Sequence, residues 1–191
     1  MLAPILLISS VAFEPSFPVE KGTTWEYVLD AGGVQGDLRQ VIEASVQKPS
    51  GWELTLRNEM KFGAERATAT ERLLVSTGGV FRLSCPHGDF EPGLQIAGGA
   101  KDTEWRGIID GQWGRISSTG ETRVVGTTKL NVPAGAFETQ ESSAIYSFEI
   151  NGRKSSSQCG YWFAPGVGFV RMDATLPVGR VRAELRKFTR G

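Results

Sequence analysis

The chain has 191 residues, 40% hydrophobic and 22% charged, enough for one well-packed core and too few for two comfortable domains. Twenty-one Lys and Arg balance twenty-one Asp and Glu, so no net field draws the protein to nucleic acid or to an anionic membrane. Twenty-four Gly and nine Pro, spread without a period, cut the chain into short segments that suit many strands and tight turns better than long helices.

Leu2, Ile5, Leu6, Leu7, Ile8 and Val11 form an apolar run without charge that ends at Ser10-Val11-Ala12. It has the form of the hydrophobic region and small-x-small cleavage site of a secretory signal, which predicts a signal peptide over 1–12 and an exported domain over 13–191, periplasmic or secreted. The run is shorter than the roughly 20 apolar residues a bilayer-spanning helix needs, and no transmembrane helix is expected in the mature chain. The competing reading is a hydrophobic first strand, which Pro4 does not forbid.

Phe13 to Lys21, with Pro15 and Pro18, reads as an extended lead-in. From Thr23 to Leu29 the pattern alternates, Trp25, Tyr27 and Leu29 facing one way, as in a half-buried strand. Leu38 to Val46 fits a strand or a short helix, because Leu38, Val41, Ile42 and Ser45 also share a helical face. Trp52, Leu54 and Leu56 alternate with polar residues in a strand running to Phe62. Ala67 to Ser76 and Gly79 to Ser84 flank Thr77-Gly78-Gly79 as a hairpin. Cys85 to Gly120 is cut by Pro86, Pro92 and eight glycines, and short strands are expected at Thr103–Ile109 and Gln112–Ser117. Alternation resumes from Glu121 to Val132 and from Phe137 to Ile150, where Ala144, Tyr146, Phe148 and Ile150 share a face. Asn151-Gly152 is the turn pair of a two-residue hairpin leading into Arg153–Phe163, and Pro165-Gly166-Val167-Gly168 reverses the chain between two aromatic-rich segments. Arg180 to Phe188 closes the pattern, with Val181, Ala183 and Leu185 on one side. The fold expected is all-β: a single domain of about nine to eleven antiparallel strands forming a strongly curved sheet, half-barrel or barrel.

Three stretches carry a resemblance. Phe17-Pro18-Val19-Glu20-Lys21-Gly22-Thr23-Thr24-Trp25-Glu26-Tyr27, Leu130-Asn131-Val132-Pro133-Ala134-Gly135-Ala136-Phe137-Glu138-Thr139 and Tyr161-Trp162-Phe163-Ala164-Pro165-Gly166-Val167-Gly168 together resemble the TapB-type (DUF3108-like) family of bacterial exported or lipoprotein β-domains of unknown function. The resemblance implies a curved antiparallel sheet or barrel in the cell envelope and brings no catalytic residues with it. The stretch around Cys85 and His87 matches nothing in that pattern.

Little in the sequence carries chemistry. His87 stands between Cys85 and Asp89, which would place all three on one side of an extended segment, but triads are assembled from distant parts of a fold and one His with two Cys cannot fill a zinc site unaided. No metal and no cofactor is therefore expected. Cys85 and Cys159 would form one disulfide if the chain is exported, or two separate buried thiols if it is not. Trp25, Trp105, Trp113 and Trp162 are the candidate ligand-binding residues, with core packing as the plainer role. Arg180, Arg182 and Arg186 make a basic side on the last strand that would meet anionic groups or simply stay solvated. The function expected is non-enzymatic: a cell-envelope protein that binds a lipid or other apolar ligand, or docks an envelope protein, on its curved sheet. The alternatives are a hydrolytic enzyme using Cys85 and His87, and a purely structural module.

Overall fold

The computed structural model describes residues 17–191 apart from 87, 100, 112, 113, 151, 177 and 178. The segment expected to be a signal, Met1–Ala12, lies outside the described residues, as do His87 and Trp113. Twelve strands follow one another: β1 Thr24–Ala31, β2 Val34–Lys48, β3 Gly51–Phe62, β4 Glu65–Ser76, β5 Gly79–Cys85, β6 Gly88–Ala97, β7 Thr103–Gly111, β8 Gly114–Val132, β9 Gly135–Ile150, β10 Arg153–Ala164, β11 Gly168–Leu176 and β12 Gly179–Thr189. Each pairs antiparallel with its neighbour in sequence, and β1 pairs with β12, so the sheet closes into a barrel. The architecture is the one expected, with β6 as an additional strand inside the irregular middle and β2 a strand rather than a helix.

Period-2 alternation sorts the wall into two faces. Trp25, Tyr27 and Leu29, Leu54 and Leu56, Leu73 and Val75, and Ala183 and Leu185 point inward and are buried. The outward face carries ion pairs such as Arg39 with Glu59 and Arg186 with Asp37. Apolar inside and charged outside is the reverse of a barrel that faces lipid. Among the described residues no helix is long and apolar enough to cross a membrane.

One pole of the barrel is sealed. Phe17 packs against Trp25, Phe163 and Phe169, and Gly168, at φ 96°, leaves just enough room for its ring: a Cβ there would sit 3.0 Å from it. The tip of the long β8–β9 hairpin folds back over this pole, where the Ala134 N–H donates to the Leu185 carbonyl (2.9 Å) and Leu130, Val132, Ala134 and Phe137 pack on the core.

The wall also has a seam. β6 pairs with β7 only from Gly88 to Glu91, because Pro92 has no N–H to continue the ladder. Beyond it β6 keeps its pairing with β5 but turns into the lumen, and Leu94, Gln95, Ile96 and Ala97 are all buried. Its freed carbonyls are met by side chains of the strands across the seam, β7, β8 and β9: Pro92 by the Trp105 indole (2.8 Å), Gln95 by the Thr122 hydroxyl (2.7 Å) and Ile96 by the Ser142 hydroxyl (2.9 Å). Buried backbone acceptors are thus satisfied without a ladder.

Candidate functional site

The inward turn of β6 occupies part of the lumen, whose centre is polar. Glu71 and Arg82 face each other at 2.6 Å with side chains only 10% and 16% exposed, and a second Arg82 nitrogen donates to the Tyr161 hydroxyl at 3.2 Å, bridging β5 and β10 across the barrel. Gln40 donates to Asn58 at 2.9 Å nearby. The enclosed space beside this pair, lined by Phe17, Gln40, Glu71 and Arg82 among others, is about 10 Å³, room for one water and not for a ligand. Burial pushes the Tyr146 phenol up to about 12, the Cys159 thiol adds to the shift and Arg82 opposes it. Burial also raises Tyr161, again against the pull of Arg82. These phenols stay neutral donors and acceptors at any ordinary pH.

The residues singled out in the sequence are spread over both faces. Trp25 lies in the sealed pole, its indole donating to the Val167 carbonyl at 2.6 Å. Trp105 faces inward at the seam, edge-on to Phe90. Trp162 points outward with the Arg171 guanidinium 4.5 Å over its ring. The structure therefore does not gather these three into one surface. Cys85 and Cys159 are free thiols on strands that are not neighbours, and Cys85 packs against the core from the inside. Among the described residues no group of three or more His, Cys, Asp or Glu is placed to hold a metal ion. Arg180 and Arg182 both reach Asp173 (3.4 and 3.1 Å), which Arg171 also holds at 2.7 Å, so three guanidinium groups share one carboxylate and this side of β12 stays basic. Burial alone would push the Asp173 carboxyl up; hydrogen bonds from Arg171 and Arg182 outweigh it and hold the group below the usual carboxylate range.

Open space lies on the outer face of β7–β10. In register across the four strands stand Arg106, Thr119, Ser147 and Ser156, with Glu149 opposite Lys154 in a neighbouring row. Short hydroxyl side chains leave a trough between longer ones, a groove of about 710 Å³ that continues into a second of about 360 Å³ beside Glu104, Glu121 and Ile145. Most arginines of this wall are in ion pairs, Arg115 with Glu91 and Asp110 and Arg123 with Glu121. Arg106 and Lys154 have no such partner among the described residues. In sequence these positions look like the ordinary outward half of an alternating strand, and only the register shows that they line up.

No protein-family model and no curated protein matches the chain. Solved structures do resemble it, two of them over nearly its whole length. One is of a protein named as a lipoprotein from Parabacteroides distasonis, with a TM-score of 0.59 and 14% identity over 92% of this chain and 98% of that one. The other is of a protein from Bacteroides fragilis named as exported and as having a YmcC-like fold, with a TM-score of 0.53 and 14% identity over 91% of this chain and 98% of that one. At this identity the likeness is one of fold, and nearly the whole of this chain shares its barrel architecture with both.

Proposed function

We propose that the protein is an exported, non-catalytic β-barrel that docks an extracytoplasmic protein partner on the outer face of β7–β10. One contrast carries the reading: the enclosed space beside the buried ion pair has room for no more than a single water, whereas the outer groove is about 710 Å³. Its serine and threonine hydroxyls, with Glu149 and with Arg106 and Lys154, which have no ion-pair partner among the described residues, suit a polar partner better than a lipid chain. Export is supported by the apolar N-terminal run and by the names of the two similar structures, one a lipoprotein and one an exported protein.

The test is a photo-crosslinking residue placed at Ser147, in the groove, and at Thr68, on the far outer wall, in cells expressing the full chain. A discrete adduct of defined mass from Ser147 and none from Thr68 is the expected result. No adduct from Ser147, together with a lipid-sized mass carried by the purified protein in native mass spectrometry, would replace docking with apolar-ligand binding.

A further inference from the structure

The seam leaves one stretch of strand edge without a backbone partner among the described residues. Gly111 of β7 pairs with Gly114 of β8 with only two residues between them in the chain, and such a pair is of the kind that exchanges both hydrogen bonds. Every second pair from there does the same, down to Trp105 with Gly120 and Thr103 with Thr122. The residues between aim their N–H and C=O away from β8. Asp110 and Ile108 aim at β6, which answers with Asp89 and Glu91. Arg106 and Glu104 aim at the slot that β6 left when it turned inward, and both are exposed.

We infer that this edge of β7 accepts one extended peptide segment of the docked partner by antiparallel strand addition, in the slot vacated by β6. An unpaired edge is a template for a backbone, and the complement of alternating N–H and C=O groups is another strand. The exposed edge is short, since β6 pairs on β7 up to Glu91 and on β5 beyond it. That admits a tail or loop of a partner and excludes the wall of a second barrel.

Charge sets which strand fits. Glu104 stands directly opposite Glu121 on β8, a like-charge pair, while Arg106 stands opposite Thr119. An added antiparallel strand that places a carboxylate beside Arg106 and, two residues later, an ammonium beside Glu104 relieves the first and pairs the second. The segment recognised therefore reads acidic, apolar, basic in its own direction. The same charges guard the edge against indiscriminate pairing when no partner is present. The two grooves meet at Arg106, so chain leaving the slot would run on over the hydroxyl row.

This inference rests on the docking reading, and its test separates the two. Amide hydrogen exchange of the full chain is measured by NMR with and without a short capped peptide centred on Glu-Val-Lys. Without peptide, the Glu104 and Arg106 amides should exchange far faster than those of Ile108 and Asp110. Saturating peptide should slow them about tenfold, and the reversed centre Lys-Val-Glu, which opposes like charges, should not. Arg106→Pro removes the donor that faces the slot and no bond to β8, so it should fold and abolish the protection of Glu104, whereas Arg106→Gln, which keeps the N–H, should retain most of it. Equal exchange with and without peptide, or protection that survives Arg106→Pro, overturns strand addition. A Ser147 adduct in that case would leave the docking face standing, and its absence would remove both.

Discussion

Asp173 and Glu71 show how differently one carboxylate can be used on the two faces of the same wall. Asp173, outward, is held by three arginines, and its carboxyl sits below the usual range because the hydrogen bonds of Arg171 and Arg182 outweigh its burial. A group whose folded value is depressed stabilises the fold above its unfolded value, near 4, and loses that contribution as pH falls through the folded one. Asp173→Asn should therefore be less stable than the native chain at neutral pH and converge with it in strong acid, read from denaturant midpoints across the pH range. Glu71, inward, holds Arg82 in the lumen at 2.6 Å. Removing one member strands the other: Glu71→Gln should cost about 3–5 kcal/mol in urea unfolding, while Glu71→Leu with Arg82→Met should restore most of the loss. Near-additivity of the two single changes would show that water, and not the pair, solvates these groups.

At the scale of elements, the seam is held by side chains doing the work of a ladder. Thr122→Val keeps shape and leaves the buried Gln95 carbonyl without its donor, and Ser142→Ala does the same for Ile96. Each should cost about 1–3 kcal/mol, and amide exchange should rise first along Leu94–Ala97 and only later in β2 and β3. Most strands were legible in the sequence because half-buried strands alternate, as Trp25-Tyr27-Leu29 and Val181-Ala183-Leu185 do. β6 was not, for a physical reason: its second half lies inside the barrel with both faces covered, so Leu94 to Ala97 are buried in succession and the period vanishes. β2 read equally as a helix because a bulge between Ile42 and Ala44 changes the inward set from even to odd positions. Leu38, Ile42 and Ser45 thereby acquire spacings of four and three, those of a helical face. The outer groove was invisible for a third reason, since polar residues at outward positions satisfy the pattern whether or not they form a site.

The whole molecule depends on closure. β12 covers the otherwise bare edges of β1 and β11 and contributes Ala183 and Leu185 to the core. A chain ending at Leu176 should fail to give a monomeric fold, running as aggregate in size-exclusion chromatography, because it exposes two edges and opens the lumen. Retention of a native far-UV spectrum and a monomeric mass would mean that eleven strands suffice. Closure also brings the last residue beside the start of β1: the Gly191 N–H donates to the Thr23 hydroxyl at 3.1 Å. Since the strands run around the wall in strict sequence order, the backbone is in effect a ring with a single cut, and the position of that cut is arbitrary to the wall. Joining Gly191 to Phe17 through a glycine linker, which keeps the ring that seals the pole, and reopening the chain at the exposed Gly63-Ala64 turn should give a circular permutant with the same thermal midpoint within a few degrees. Its two new ends would emerge at the pole opposite the one the β8–β9 hairpin seals, turning the barrel around relative to anything fused to it.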